Sequence, residues 1–307
     1  GQLPRKRGEP PGSRRTEDNM TQWKLGIVGG SGLYALEGLE TVRREAVETP
    51  WGAPSAVLTH GSLNGVELVF LPRHGAGHRL SPSDIPFRAN IAALKMAGCT
   101  DIVSISACGS LREHLAPGHF VIVDQYVDRT DGRARSFFGE GYVAHVPMAQ
   151  PVCARLAGLI GDAGEAAGVP VQRGGTYITI EGPQFSTRAE SELYRHWGMD
   201  VIGMTNMPEA RLAREAELPY ASIAMVTDYD CWHDGEASVD VAAVLRVMRD
   251  NTVKAKALLT RLTAMLAGRE RAPDPVDTVL DTAIITPPDA RDPDVVARLR
   301  AIAGRVL

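Results

Sequence analysis

From Lys24 onward, short apolar runs rich in Val and Ile alternate with longer helical patterns, and that alternation limits the fold more than any other feature. The runs LGIVGG (25–30), VELVFL (66–71), DIVSISA (101–107), HFVIVDQYV (119–127), GTYITI (175–180), DVIGMT (200–205) and YASIAMVT (220–227) read as strands. Several are apolar throughout, as central strands covered on both faces must be. Helical patterns cover 84–97, 151–167, 187–197, 208–216, 238–267 and 292–303. The expected class is α/β: a single domain with a large mixed central β-sheet wrapped by helices.

Two segments stand apart from the alternation. Residues 1–20 carry five basic and three acidic side chains, three prolines and few apolar residues. They read as a disordered extension, or as an upstream segment before a start at Met20, with a basic arm as the competing reading. At the other end, GRERAPDPVD (268–277) breaks the long helix with Pro and charge. The expected organisation is therefore an extension over 1–20, a main domain over 21–270 and a tail over 271–307. Asp289 to Asp292 would cap a short amphipathic helix in that tail, with Val295, Val296, Leu299 and Ile302 on one face.

Composition narrows the partners. In 307 residues, 37 acidic side chains face 33 basic ones for a net charge of −4, which offers no basic footprint for nucleic acid or a membrane surface. A small ligand is expected instead. No run is long and apolar enough to span a bilayer. Cys99, Cys108, Cys153 and Cys231 form no C-x-x-C pair, and together these features point to a reducing cytoplasm.

Six stretches carry candidate chemistry. GIVGGSGLY (26–34) is a strand entering a glycine-rich turn where Ser31 adds a hydroxyl. It lacks the last glycine of a dinucleotide fingerprint and the Lys of a Walker loop, so anion binding and a plain tight turn both stay open. LPRHGAGHRLSP (71–82) crowds Arg73, His74, His78 and Arg79 at a strand end, where α/β folds place ligands. Arg suits paired hydrogen bonds to phosphate. In SISACGSLRE (104–113), Ser104 and Ser106 share one strand face, and Cys108 reads as a buried structural thiol. ITIEGPQFSTRAE (178–190) offers Glu181 and Phe185 before a helix capped near Ser186; periodicity alone places Phe185 in the core. DVIGMTNMPEA (200–210) presents Met204 and Thr205 at a strand end. TDYDCWHDGE (227–236) is dense in ligand atoms but fails the D-x-D-x-D-G calcium pattern, because Trp232 and His233 stand where a ligand and a glycine should be.

Taken in order, GGSGL, TPWG, RHG, ACGSLRE, DRT, TIEGP, GMT, PEA and YASIA followed by TDYD resemble the 5′-methylthioadenosine phosphorylases, a branch of the trimeric purine nucleoside phosphorylase family. The resemblance runs from about residue 25 to about residue 267. It implies phosphorolysis: inorganic phosphate attacks the anomeric carbon, adenine leaves, and 5-methylthioribose 1-phosphate forms. Phosphate is then a substrate, with no cofactor and no metal.

The resemblance also implies roles. Ser31, Arg73, His74, Ser106 and Thr205, with the backbone of Ala107, match phosphate-binding positions. The family usually has Thr where this chain has Ser31 and Ser106, and Ser is less restricted in its rotamers. Phe185 matches the residue packed on the purine, Met204 the floor of the ribose, and Thr227 the purine end. Val241, Val244 and Leu245 match the methylthio pocket. His145 matches a residue reaching into a neighbouring subunit's site, which implies a homotrimer.

Asp228 and Asp230 match the groups that recognise purine N7 and the 6-amino group. Sister enzymes for 6-oxopurines carry Asn at the position of Asp228. An ionised carboxylate only accepts hydrogen bonds, which suits adenine. An Asp at its ordinary pKa of about 3.9 is a poor acid near neutrality, and burial beside a second carboxylate would raise it. The rival readings are a phosphorylase of adenosine or 6-oxopurine nucleosides, a metal-dependent hydrolase built on TDYDCWHDGE, and a nucleotide-binding regulator without turnover.

Overall fold

The computed structural model describes residues 22–30, 32–233 and 241–307. The extension over 1–20 and Ser31 therefore lie outside the described residues, as do Asp234 and Glu236 of the TDYDCWHDGE stretch. Within them, eleven strands form one sheet: β1 (Lys24–Gly29), β2 (Glu40–Glu45), β3 (Leu58–Leu63), β4 (Val66–Pro72), β5 (Asp101–Ser110), β6 (Phe120–Ile122), β7 (Gln125–Arg129), β8 (Val171–Arg173), β9 (Thr176–Ile180), β10 (Val201–Gly203) and β11 (Tyr220–Asp228). Six helices accompany them: α1 (Phe87–Met96), α2 (Ala154–Ala166), α3 (Arg188–His196), α4 (Asn206–Glu215), α5 (Val241–Leu266) and α6 (Pro293–Ala303).

The main path runs β2-β3-β4-β1-β5-β10-β9-β7, and β11 branches from β5 toward β6 and β8. β1 is parallel to both β4 and β5, β11 is parallel to β5, and β10 runs antiparallel to β5. The sheet is thus mixed, as expected. Its centre is buried on both faces. Leu25, Ile27 and Phe70 pack with Leu156 and Ile160 of α2 and Leu258, Leu259 and Leu262 of α5. On the opposite face Val28, Val69 and Leu71 meet Ile91 of α1, Leu212 of α4 and Leu299 of α6.

Three elements differ from the sequence expectation. The run 119–127 is two strands, because the chain crosses from the β11 branch, where β6 pairs, to the far edge, where β7 pairs with β9. β2 (ETVRRE) is an exposed edge strand with no apolar period to betray it. β3 (LTHGSL) buries Thr59 and His60, so its polar residues disguise a core strand. A fourth difference is small: α3 is capped by Thr187, not Ser186, in a reciprocal capping box with Glu190.

The tail packs on its own chain. Asp292 caps α6 by accepting from the N–H groups of Asp294 and Val295 at 2.8 and 3.3 Å, and Leu299, Ile302 and Ala303 are buried. Arg271 donates to Asp277 at 2.9 and 2.6 Å and to Asp101 at 2.5 Å, tying the start of the tail to β5.

At the end of α4, Glu215 accepts from the Ser136 hydroxyl at 2.6 Å and the Phe137 N–H at 2.7 Å, fixing the loop after β7. Burial pushes its carboxyl up to about 7. The folded state thus holds this proton more tightly than the unfolded chain. The resulting stabilisation is complete below the unfolded carboxyl pKa of about 4.3 and is lost as pH rises through about 7. Glu215→Gln should flatten the fall in Tm between about pH 5 and about pH 8, as read by thermal unfolding across that range.

Candidate active site

The site sits where β5 changes partners. Residues 101–104 of β5 pair with Leu25–Val28 of β1, whereas Gly109 and Ser110 pair with Ile202 and Val201 of β10. Between those points one edge of β5 is left open while β11 holds the other, with Ile105–Cys108 opposite Ile223–Val226. A cavity of about 310 Å³ occupies this gap, and Ile105, Ser106, Ala107, Cys108 and Gly109 all line it.

Arg73 enters from the loop after β4 and is fully buried. Its Nε and Nη2 donate to the two carboxylate oxygens of Glu209, on α4, at 2.7 and 2.8 Å. Nη2 also donates to Ser104 Oγ at 2.6 Å, and Nη1 donates to the Ile105 carbonyl at 3.1 Å. Burial alone would push the guanidinium down, but the Glu209 charge and hydrogen bonds outweigh it and hold it above its ordinary value. The bidentate face of Arg73 is therefore spent inside the protein. The paired Arg–phosphate contact expected from the sequence finds the Nε and Nη2 hydrogens already committed to Glu209 and Ser104.

His74 lines the cavity beside it, stacked on His78 with ring centroids 4.1 Å apart. Its Nδ1 lies 3.0 Å from the Leu80 carbonyl. A carbonyl only accepts, so Nδ1 carries the proton and Nε2 of the neutral ring carries the lone pair. Burial, with the Arg73 charge adding to it, pushes this imidazole down to about 4.

Ser106, on β5, and Thr205, two residues after β10, both line the cavity. Thr205 stands at the N-cap position of α4 without spending its side chain on a capping bond. Next to it, Met204 is held by Arg133, whose Nη1 donates to the carbonyls of Met204 and Met207 at 2.7 and 2.8 Å. Gly203 has to be glycine, because a Cβ there would overlap the hydroxyl of fully buried Tyr177.

A bulge at the end of β11 shifts its register between Val226 and Asp228, so that Asp228 pairs with Gly109. Asp228 Oδ2 accepts from the Thr227 hydroxyl at 2.6 Å, and Oδ1 accepts from the Asp230 N–H at 2.8 Å. A Cβ at Gly109 would sit 3.1 Å from Asp228 Oδ1 and 3.0 Å from Ile202, so any side chain there would press on the Asp228 carboxylate. Asp230 is buried, and that burial raises its carboxyl pKa.

The cavity thus gathers Arg73, His74, Ser106, Ala107, Phe185, Met204, Thr205, Thr227, Asp228, Asp230 and Val244. Phe185 is 51% exposed, a cavity wall and not the core residue its periodicity suggested. Val241 and Leu245 do not line the cavity and are 59% and 54% exposed; one turn on from Val244, Met248 lines it instead. That i, i+4 relation on α5 was the available signal. His145 lies elsewhere, in a second depression with Arg135, Arg211 and Glu215, its N–H bound to the Ala283 carbonyl at 2.8 Å. Glu209 enters the sequence reading only within a motif, since nothing local marks a carboxylate that pairs with an Arg far away in sequence. Among the described residues no group of three or more His, Cys, Asp or Glu is placed to hold a metal, and no helix is long and apolar enough to cross a membrane.

The sequence model of the Phosphorylase superfamily matches residues 24–264. The S-methyl-5′-thioadenosine phosphorylase of Bradyrhizobium diazoefficiens is 58% identical over 290 residues, 94% of this chain and 99% of that protein. A methylthioadenosine phosphorylase from an antarctic soil metagenomic library superposes with a TM-score of 0.86 at 46% identity, covering 92% of this chain and 99% of that one. Methylthioadenosine phosphorylase from Schistosoma mansoni in complex with adenine gives a TM-score of 0.77 at 37% identity, over 92% and 98% of the two chains.

The Arg73–Glu209 pair makes a direct prediction. Glu209→Gln would leave a buried guanidinium without its counter-charge, a loss of about 3–5 kcal/mol. The midpoint of urea unfolding should fall accordingly, while Arg73→Met with Glu209→Leu together should lose less than Glu209→Gln alone.

Proposed function

The chain belongs to the Phosphorylase superfamily, and on that premise we propose that it catalyses phosphorolysis of 5′-methylthioadenosine to adenine and 5-methylthioribose 1-phosphate. The observation that carries this reading is the two-ended cavity on β5. Hydroxyl, imidazole and guanidinium groups of Ser106, Thr205, His74 and Arg73 gather near the open edge of the strand. Asp228 stands opposite Gly109, three residues further along it, roughly 10 Å at the rise of an extended strand. Such a span suits a phosphate at one end and the far edge of a purine at the other.

In the proposed reaction a phosphate oxygen forms a bond to C1′ as the C1′–N9 bond breaks. The electron pair of that bond passes to the purine, which takes up a proton at N7 from Asp228 or solvent, balanced by the proton that hydrogenphosphate gives up. Phosphate is held by Arg73, His74, Ser106, Thr205 and the Ala107 backbone, with Ser31 adding its hydroxyl. Phe185 covers the purine and Met204 underlies the ribose. Asp228, oriented by Thr227 and by the Asp230 backbone, accepts from the 6-amino edge or stabilises the N7 proton as charge leaves C1′. Catalysis is largely positioning, and neither cofactor nor metal is required.

The methylthio group lies against Val244 and, one turn on along α5, Met248. His145 of the partner subunit completes that pocket in a homotrimer. An apolar lining of this kind leaves the 5′-hydroxyl of adenosine poorly satisfied, a difference of about 1–3 kcal/mol in favour of the thioether. The chain would act in the cytoplasm, returning adenine to purine salvage and the sugar phosphate to methionine salvage.

Methylthioadenosine, adenosine and inosine, each supplied with and without phosphate, test the reading by product analysis. Adenine release should require phosphate and be fastest from methylthioadenosine; release without phosphate would instead mark a hydrolase. Asp228→Asn should slow adenine release on the order of 10²-fold and shift preference toward inosine. Unchanged adenine release by that variant would remove Asp228 from the mechanism.

A further inference from the structure

Asn206 is fully buried at the first position of α4 and does not line the cavity, yet its amide reaches a hydroxyl that does, that of Ser106. Its Oδ1 accepts from Ser106 Oγ at 3.3 Å. Its Nδ2 donates to Ser222 Oγ, on β11, at 2.5 Å and to the Tyr126 hydroxyl, on β7, at 3.3 Å. One amide thus joins β5, β7, β11 and α4 beneath the open edge of β5.

Serine is a poor choice for a pre-set ligand. Its hydroxyl has three staggered positions to choose from, and no second branch on Cβ to narrow them. A hydroxyl that must be ordered when an oxyanion arrives loses part of the contact to entropy. Ser106 has a pinning partner behind it, and that partner makes two further bonds.

We propose that Asn206 is a positioning residue for the phosphate end of the site: when phosphate binds, its amide turns so that Nδ2 donates to Ser106 Oγ and Oδ1 accepts from Ser222, which fixes the Ser106 rotamer and leaves its one proton for the oxyanion. The assignment rests on the phosphorolysis reading and deepens it. Asn206 would touch neither phosphate nor nucleoside. Its effect should therefore appear in phosphate binding, pass through Ser106, and leave the purine end alone.

A double-mutant cycle reads this out, with KM for phosphate, KM for methylthioadenosine, kcat and Tm measured for each variant. Asn206→Leu, close in volume and without the amide, should raise the phosphate KM about 3- to 10-fold and change the nucleoside KM less than 2-fold. In a Ser106→Ala background the same change should leave the phosphate KM unmoved, since the hydroxyl it positions is gone. In a Ser106→Thr background, where the β-branch restricts χ1, the penalty should shrink. Asn206→Ser, too short to reach Ser106, carries the same comparisons if Asn206→Leu does not fold.

Equal fold-changes with Ser106 intact and in the Ser106→Ala background, or phosphate and nucleoside KM rising together, would overturn the assignment and leave Asn206 as a packing residue. Absence of any phosphate dependence in the unaltered chain would overturn the phosphorolysis reading itself, which separates the two failures.

Discussion

The buried ion pair between Arg73 and Glu209 is the contact on which the rest of the site depends. It joins the loop after β4 to α4, and its remaining bonds reach the Ile105 carbonyl and Ser104 on β5 and Tyr220 on β11, whose hydroxyl donates to Glu209 Oε1 at 2.8 Å. Elements far apart in sequence are thus fixed at one point. A buried pair rarely adds net stability over well-packed apolar residues, because desolvating both charges costs as much as their attraction returns. Its value here is geometric. Ser104 also donates to Glu209 at 2.8 Å, so the strand is held two residues before Ser106, just where the cavity opens.

Why the cavity opens there follows from the sheet. A strand with partners on both edges has no backbone to offer a ligand, since its N–H and C=O groups are already paired. β5 loses β1 after Ser104 and gains β10 only at Gly109, and the intervening edge is where Ser106 and Ala107 lie. The antiparallel entry of β10 brings Met204 and Thr205 alongside, and the bulge in β11 turns Asp228 toward the same space. Each of these irregularities would be a defect in a plain parallel sheet. Together they form a walled gap with polar groups at both ends.

That division also decides what the sequence could disclose. Central strands such as YASIAMVT announce themselves because burial on both faces demands a continuous apolar run, and β11 is buried from Tyr220 through Thr227. The pairing of Ser104 and Ser106 on one strand face was equally legible. Hidden were the elements whose burial is polar or absent: β3 with its buried His60, and the exposed charged edge β2. Phe185 was misplaced by periodicity because an aromatic waiting for a ligand obeys the same pattern as one in the core. Only the ordered run of motifs, a property of the whole chain, pointed to its place in the cavity. Arg73 was legible as a site residue, but its commitment to Glu209 was not, since spacing along the chain carries no record of a pairing made by folding.

The electrostatic character of the site follows from that commitment. Arg73 is neutralised by Glu209, and His74 is neutral with its value pushed down to about 4. An arriving phosphate dianion would therefore meet oriented hydrogen-bond groups and little net positive charge. Such fixed dipoles can orient an oxyanion without the deep binding that two free cations would impose. The dianion itself would draw the proton equilibrium of His74 upward, because an opposite charge nearby favours the imidazolium. Within the proposed reaction the phosphate proton and the imidazole then share one hydrogen bond, and the nucleophile gains charge only once it is bound and aligned. A site built in this way favours attack over tight storage, and it can release a sugar phosphate of the same charge.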